Sequence, residues 1–471
     1  MFELIDRQSW LDYHALPAIV RDALAAQHPT KAYPTGLTER LDFVERKAVA
    51  GQQPGFGGGP LYSTYKRWTA AQITQNDPIH NTYWIEAGDS DWNEIAHIDT
   101  DREVLRWEDL APGVPVGDRE LPPDFRARIT NHWSSFSRVQ DLDGAFTGTV
   151  RDSFFSFHWL CDPSAKQTVF FDGPPFLLKS NVSKVKAELA EWLERLGEGV
   201  TALELGIERV THDYHTPQAT LQSNKTGWFW VPDPNSPRLA VEHASHRLFR
   251  IGDKEMNAHD LSAMAKEGVG IFIPGALWRT LLQQALLHPT TVVVGAAEAA
   301  YWGEVAELFK WAGMRFPKLL LRVGATVLPA NTSILSRADI FSDTAPEIAV
   351  PDEWRVYQDA IAHLDSSLAA LPATAPEHLR DAIAKGREKA IYQLNRIVEL
   401  GAKYRDEQTG SRRKRWEQAR ELAVGTHAKP PQERRMTLLE AYLRWSGEGL
   451  MELREKIFQS QEGGRFLFRE S

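Results

Sequence analysis

AVAGQQPGFGGGPLYSTYK, Ala48 to Lys66, is the stretch whose reading decides the fold. A strand-like apolar run, Lys47-Ala48-Val49-Ala50, stops at Gly51. Two glutamines follow, then a Pro/Gly loop with Gly55, Gly57, Gly58 and Gly59. Pro60 closes the loop, and Leu61 to Ile73 reads as a helix. Glycine admits positive φ and lets a ligand approach the backbone. Proline suits a first helical turn, where its missing N–H would lack a partner anyway. The N–H groups and dipole of a helix start attract anions. The stretch is therefore either a plain tight turn or a cradle for a phosphate or carboxylate. Its spacing matches neither G-x-G-x-x-G nor G-x-x-x-x-G-K-[ST].

Moving outward, Asn81 to Ala87 (NTYWIEA) is a second strand, ending in the acidic loop Gly88-Asp89-Ser90-Asp91-Trp92-Asn93-Glu94. Strand, loop, helix, strand, acidic loop is half of a doubly wound α/β unit, in which ligands bind outside the carboxyl ends of the strands. The pattern returns near Ile271, with a helix over Leu277 to Leu287 and a strand over Thr291 to Val294. A helix over Glu298 to Ala312 and a strand over Lys318 to Val323 follow. The sheet is expected to draw on both regions. Gln167 to Asp172 reads as a buried strand and Asn181 to Leu196 as an amphipathic helix. Gln218 to Val231 and Leu239 to Arg250 read as antiparallel strands of a small β insertion.

The termini read as helical. Trp10 to Gln27 and Leu37 to Lys47 form helices within an all-helical first 46 residues. Glu353 to Leu371, Glu377 to Arg405 and Ser411 to Leu422 are long, charged and amphipathic, which fits paired helices or a coiled coil. The basic run at Arg412 to Arg415 is either a solvated face or a phosphate-binding edge. Met436 to Ile457 is one more helix. The expected organisation is a core over 1–345 with an insertion at about 200–265, a helical coiled-coil domain over 346–435, and a C-terminal helix and tail over 436–471 that packs back on the core.

A net charge of −9 over 471 residues argues against general binding to nucleic acid or anionic membranes. Cys161 is the only cysteine, so neither an intramolecular disulfide nor a multi-cysteine metal site is available. It ends an apolar run and reads as a buried, inert thiol. No apolar run approaches the ~18 residues of a membrane span. The N-terminus lacks the basic and apolar regions of a leader. A cytoplasmic location is the default expectation.

Asp89, Asp91, Glu94 and His97 place three carboxylates and an imidazole in one short segment. They could bind Mg²⁺ through oxygen, hold a substrate ammonium, act in proton transfer, or simply form a charged surface loop. His212 with His215, and His243 with His246, supply too few ligands for zinc. Glu298 opens a helix, where the dipole alone favours it. Arg279 and Arg322 could pair with Glu298 or hold a substrate carboxylate.

These blocks together resemble a known family. Ala50-Gly51-Gln52-Gln53-Pro54-Gly55, with Gly59-Pro60-Leu61-Tyr62 and Tyr65-Lys66, is similar to the T-G-Q-Q-x-G-L-x-x-G-P-L-Y-x-x-Y-K signature of the BshC family, the cysteine-adding enzymes of bacillithiol biosynthesis. Trp84-Ile85 with Asp89, Asp91, Glu94 and His97 resembles its W-I-A-x-E-D-H-D-x-x-E-x-x-H. Ile273 to Arg279, Val294-Gly295 with Glu298 and Tyr301-Trp302, Arg322, and Lys429-Pro430 with Gln432-Glu433-Arg434 resemble later blocks of the family, in the same order. Gly88 and Ser90 stand where the family has Glu and His, and Ala296-Ala297 where it has Pro-Gly.

The resemblance implies a Rossmann-like core related to class I synthetases and nucleotidyltransferases, with a helical coiled-coil domain that makes a homodimer. It implies an ATP-dependent ligase that joins cysteine to the amine of glucosaminyl-malate through an activated carboxylate, without a demonstrated metal. On that basis Gln52, Gln53, Gly55 and Tyr62 are expected on the acceptor side and Lys66 against a phosphate or carboxylate. Asp89, Asp91 and Glu94 are expected against an ammonium or Mg²⁺, with His97 as proton carrier. Glu298, Tyr301, Arg279 and Arg322 are expected to face them as substrate-binding residues. Two other readings stand beside this one: an amide-forming relative acting on a different amine or amino acid, and an inactive dimeric binding protein.

Overall fold

The computed structural model describes residues 2–8, 48–74, 81–100, 103–172, 183–214, 221, 224–233, 235–245, 248–332, 335, 337–342, 359, 362–363, 366, 376–425, 431–459 and 465–470. In chain order the strands are β1 (Phe2–Gln8), β2 (Ala48–Gln52), β3 (Asn81–Ile85), β4 (His97–Asp99), β5 (Val104–Arg106), β6 (Val169–Asp172), β7 (Lys225–Val231), β8 (Leu239–Ser245), β9 (Leu248–Ile251), β10 (Lys254–Asn257), β11 (Ile271–Pro274), β12 (Thr291–Val294), β13 (Lys318–Leu321), β14 (Gly324–Leu328) and β15 (Arg465–Glu470). The principal helices are α1 (Leu61–Ile73), α2 (Trp92–Ile95), α3 (Val150–Cys161), α4 (Ser183–Glu194), α5 (Leu196–Tyr214), α6 (Ala276–Leu287), α7 (Ala296–Trp302), α8 (Glu377–Ala423), α9 (Gln432–Arg435) and α10 (Leu438–Gln459).

The central sheet has the order β13–β12–β2–β3–β6, and every pairing in it is parallel. The chain starts in the middle with β2, moves outward through β3 to β6, and returns to the other side through β12 and β13. Direction reverses between β2 and β12, which opens a crevice outside their carboxyl ends. The near-continuous apolar strands follow from burial on both faces. Val49, Trp84, Val292 and Val294 join one core with α4, α5 and α6. The alternate residues Ala48, Ala50, Tyr83, Ile85 and Val293 join the other with Phe154 of α3 and Ala70 of α1. β3 is buried throughout, whereas β6, expected to be buried, is a half-buried edge strand because among the described residues it has a neighbour on one side only.

The insertion is an antiparallel sheet of order β10–β9–β8–β7–β11. Its last strand corrects the expectation that the α/β pattern resumes at Ile271. Ile271 to Pro274 pairs antiparallel with β7, Ile271 opposite Val231 and Pro274 opposite Trp228. A four-residue apolar run reads the same in either kind of sheet, and the α/β pattern resumes one element later, at α6. The helical reading of the first residues is corrected as well. Phe2–Gln8 is a strand, antiparallel to β15 near the other end of the chain. The helices expected over Trp10 to Gln27 and Leu37 to Lys47 lie outside the described residues.

Contacts divide the chain into Met1–Val327 with Pro430–Ser471, and Leu328–Lys429. In the second unit, the two helices expected over Glu377 to Arg405 and Ser411 to Leu422 are a single helix, α8. A lone Gly410 with no proline nearby costs about 1 kcal/mol, too little to break a long helix. Trp416 Nε1 donates to the carbonyl of Asp339 at 2.7 Å, fixing α8 against the short helix Arg337–Phe341. The Glu353 to Leu371 segment lies almost wholly outside the described residues.

In the first unit the C-terminal segment is laced onto the opening stretch. Leu61 N donates to Met436 O at 2.9 Å and Leu438 N to Gly59 O at 3.0 Å. The glycines of the loop make room for this. Gly58 has φ +80°, and a Cβ there would come within 3.0 Å of Leu438 Cβ and 3.1 Å of Phe157 Cβ. Gly58→Ala should therefore destabilise the protein by roughly 2 kcal/mol or more, from left-handed strain plus overpacking. Gly386→Ala, in the exposed part of α8 with nothing within 4 Å, should instead gain about 0.5–1 kcal/mol of helix propensity. Thermal and denaturant unfolding of the two variants would separate these opposite signs.

Candidate functional site

A cavity of about 670 Å³ lies at the β2/β12 switch point. Each element that ends there supplies side chains. Gln52 and Gln53 follow β2, Tyr62 and Lys66 come from α1, and Glu86, Asp89, Glu94 and His97 follow β3. Arg279 and Gln283 come from α6, Glu298 and Tyr301 from α7, Arg322 follows β13, and Glu433 and Arg434 belong to α9.

Lys66 closes the crevice. Its Nζ donates to Gly51 O at 3.0 Å, to Gln52 Oε1 at 3.1 Å and to Glu298 Oε2 at 2.6 Å. All three ammonium donors are thereby used, and the side chain is 5% exposed. The lysine expected against a substrate anion neutralises an internal carboxylate instead. Glu298 also accepts from Gly295 N at 3.2 Å and from Tyr301 OH at 3.4 Å. Gln52 Nε2 donates to Tyr62 OH at 3.2 Å. Burial, with Glu94 second, raises the Tyr62 phenol to about 12, so it is a neutral hydroxyl at physiological pH.

Arg322 is likewise committed. Its two terminal nitrogens meet the Glu433 carboxylate at 3.2 and 3.1 Å, and its guanidinium sits 5.4 Å from the Tyr62 ring centroid. Gln432 holds α9 in place by acting like one rung of a sheet. Val327 N donates to Gln432 Oε1 at 2.7 Å, and Gln432 Nε2 donates to Val327 O at 3.0 Å.

The acidic loop divides its carboxylates between roles. Glu86, one residue past the end of β3 and 3% exposed, accepts from Trp84 Nε1 at 2.9 Å and Gly88 N at 3.1 Å and pairs with Arg279 at 3.2 Å. Asp89 accepts from Ser90 N at 2.6 Å and pairs with Arg238 of the insertion at 3.1 Å. Burial pushes the Asp89 carboxyl up, but Arg238, Arg279, Ser90 N–H and the Gln53 side chain outweigh it and hold it below its usual value. Gly117 lets its segment close over this loop. A Cβ at Gly117 would fall 2.1 Å from Ala87 Cβ, and Val116 N and Gly117 N donate to Asp89 O and Ala87 O at 2.7 and 3.0 Å.

Asp91 stands apart from the lining residues. It is exposed and caps α2 by accepting from Glu94 N at 3.2 Å. Glu94 lines the cavity, and its side chain has no hydrogen-bond or ion-pair partner among the described residues. Glu94 is partly open to solvent, and the partial desolvation of its carboxyl, then Asp89 and Asp91, push it up against a smaller opposing pull from Arg279. His97 also lines the cavity, with Nδ1 3.1 Å from Asn93 O. Among the described residues no group of three or more His, Cys, Asp or Glu is placed to hold a metal ion.

The glycine loop does not fit the phosphate cradle read from its composition. Gly55 and Phe56 to Gly59 are buried, outside the cavity lining, and the first N–H of α1 is taken by Met436 O. The glycines serve packing, while Gln53 just before them faces the cavity and carries a buried Oε1 with no hydrogen-bond partner. Cys161 is fully buried, and burial followed by Asp162 raises its thiol well above the ordinary range.

Five contributors escaped the sequence reading: Glu86, Arg238, Gln283, Glu433 and Arg434. Glu86 could have been found from the rule that strand carboxyl ends carry ligand groups. Arg238, after a proline-rich turn in the insertion, carries no local signal. Glu433 and Arg434 stood in a matched block without an assigned role.

Glu94 yields a signed pH prediction. Its folded pKa lies above the unfolded one, so ionisation opposes folding, and stability is lost as pH rises from the unfolded value through the folded one. Glu94→Gln should therefore melt at or above the wild-type temperature at pH 8, with the difference vanishing at about pH 3.5, below the ordinary glutamate range. Melting curves across that range check it, and a variant less stable at pH 8 would contradict the sign.

Comparison with known proteins agrees with this architecture. Residues 39–323 match the family model described as "Bacillithiol biosynthesis BshC, N-terminal Rossmann-like domain". Curated relatives named "Putative cysteine ligase BshC" include one from Salinibacter ruber, 25% identical over 69% of this chain and 64% of its own length. One from Geobacillus thermodenitrificans is 24% identical over 75% and 66%, and one from Thermus thermophilus is 26% identical over 68% and 65%. The chain thus spans 54 to 66% of the length of the first relatives it matches. The match covers the whole β2-to-β13 sheet and every lining residue of the cavity except Glu433 and Arg434, and the chain belongs to the BshC family through its Rossmann-like domain.

Proposed function

We propose that this protein is a ligase that forms an amide between the carboxylate of cysteine, or a similar amino acid, and the amine of a sugar-containing acceptor such as glucosaminyl-malate. The observation that carries the reading is the cavity at the β2/β12 switch point, with carboxylates after β3 and arginines on α6, just after β13 and on α9. The names of the relatives supply the reaction class.

An amine that arrives as an ammonium must lose a proton before it attacks a carbonyl. Glu94, with a raised pKa, and His97 beside it are the groups proposed to hold the ammonium and take that proton. Gln52, Gln53 and the neutral Tyr62 hydroxyl are proposed to orient the acceptor. Asp89, held ionised by Arg238 and Arg279, contributes a fixed negative field on the same wall. ATP is the proposed source of carboxylate activation. Because the glycine loop is packed away, no residue of it is assigned to phosphate. We further propose that α8, which exposes Tyr392 and Leu400, takes part in a coiled-coil homodimer. No helix among the described residues is long and apolar enough to cross a membrane.

A second reading keeps the reaction class and changes the substrate. Gly88 N here donates to Glu86, and Ser90 N to Asp89, so neither residue places a charged side chain in the loop where the resembled pattern has Glu and His.

The test combines thermal shift with mass spectrometry on the full chain, using ATP, cysteine and glucosaminyl-malate. The expected outcome is a ligand-dependent rise in melting temperature and an ATP-dependent condensation product. Glu94→Gln should lower turnover by about 10²–10⁴-fold. A different accepted amine or amino acid would select the second reading, and no stabilisation and no product with any of the three would overturn the first.

A further inference from the structure

The charges around the cavity can be matched one against another. Lys66, Arg279 and Arg322 are paired with Glu298, Glu86 and Glu433, and Asp89 is paired with Arg238. Two lining charges then remain with no side-chain partner among the described residues: Glu94 and Arg434. Both act electrostatically on the Tyr62 phenol, Glu94 raising its pKa and Arg434 lowering it. Arg434 is also held on a fixed support. Gln432 is pinned to both backbone groups of Val327, and Glu433 is clamped by Arg322. Arg434 N donates to Pro431 O at 2.9 Å, and Met436 N to Gln432 O at 2.8 Å. One guanidinium is thus left over on an immobilised turn at the cavity wall. Arginine's planar fork matches carboxylate and phosphate oxygens two at a time.

We propose that Arg434 is the substrate-anion receptor of this site, and that Arg279, Arg322 and Lys66 are structural cations. The anion is a carboxylate or phosphate oxygen group of the bound molecule. The opposite end of that molecule is an ammonium or N–H donor, taken by Glu94 and by the unpartnered Oε1 of Gln53. The site therefore selects zwitterionic or amino-anion ligands. The amide-ligase reading bears only on which such molecule is the substrate.

The experiment is calorimetric titration of the full-length wild type, Arg434→Gln, Arg434→Lys and Arg322→Gln with L-malate, inorganic phosphate, ATP and L-cysteine. At least one probe should bind the wild type, and Arg434→Gln should weaken that binding by roughly 10- to 100-fold. The unliganded Arg434→Gln should melt within about 2 °C of the wild type, because no internal partner is lost. Arg434→Lys should recover part of the affinity. Loss confined to malate and cysteine identifies a carboxylate, and loss confined to phosphate and ATP identifies a phosphate. Arg322→Gln should lower the melting temperature by several degrees, since it strands a buried Glu433. Unchanged affinity for every probe in Arg434→Gln would overturn the proposal, as would a wild type that binds none of them. The same variant separates this from the ligase reading. Weakened anion binding without cysteine ligation by the wild type sinks only the ligase reading. Ligation with an unchanged KM for both substrates in Arg434→Gln sinks only the proposal.

Discussion

A buried ammonium must find oxygen, and Lys66 finds it at the one place where the sheet needs joining. Parallel strands on the two sides of a switch point leave their carboxyl ends open, and the recorded pairing of β2 with β12 ends at Ala50 opposite Val293. Lys66 spans that opening, bonding the carbonyl and side chain of the two residues that end β2 and the carboxylate at the start of α7. A pair of this kind costs much to desolvate and gains little net stability when complete, yet losing one member leaves the other charge stranded at a cost of about 3–5 kcal/mol. Its contribution is geometric. It sets the distance between the two walls of the cavity, and so fixes where Gln52, Gln53 and Tyr301 can stand.

The same arrangement recurs around the site. Arg279 joins α6 to the end of β3 through Glu86, Arg238 joins the insertion to the acidic loop through Asp89, and Arg322 joins β13 to α9 through Glu433. Each ion pair links two elements distant in sequence, and each consumes a charge that looks, on the sequence, like substrate-binding capacity. A cavity walled this way is electrostatically stiff. Its inner surface is dense in charge, but nearly all of that charge is answered from within.

This explains what the sequence disclosed and what it withheld. The parallel sheet was legible because both faces of β2, β3 and β12 are buried, so the strands read as unbroken apolar runs between turn residues. The site region was legible because strand ends carry ligand groups, and Gln52, Gln53, Glu94, His97, Glu298 and Arg322 do line one cavity. The assignment of charges to partners was not legible. It depends on which arginine lies near which carboxylate across more than a hundred residues, as with Arg322 and Glu433, and local pattern carries no such information. Asp91 shows the converse: its spacing from Glu94 looks catalytic, but the same three-residue step is what a helix cap requires.

The opening stretch admitted two readings for an instructive reason. A glycine cluster before a helix is compatible with two opposite uses: bringing a ligand close to the backbone, or bringing another part of the chain close. Nothing in PGFGGGP decides between them. The decision lies in Thr437 and Leu438, which occupy the space a ligand would have used, and in Met436, whose carbonyl takes the helix N–H that an anion would have taken. That substitution has a consequence for the site. Because the C-terminal segment is held by the loop, Gln432 and Glu433 are carried to the cavity wall, and Arg434 with them. The glycines thus bear on the proposed anion recognition at one remove, by docking the turn that carries Arg434.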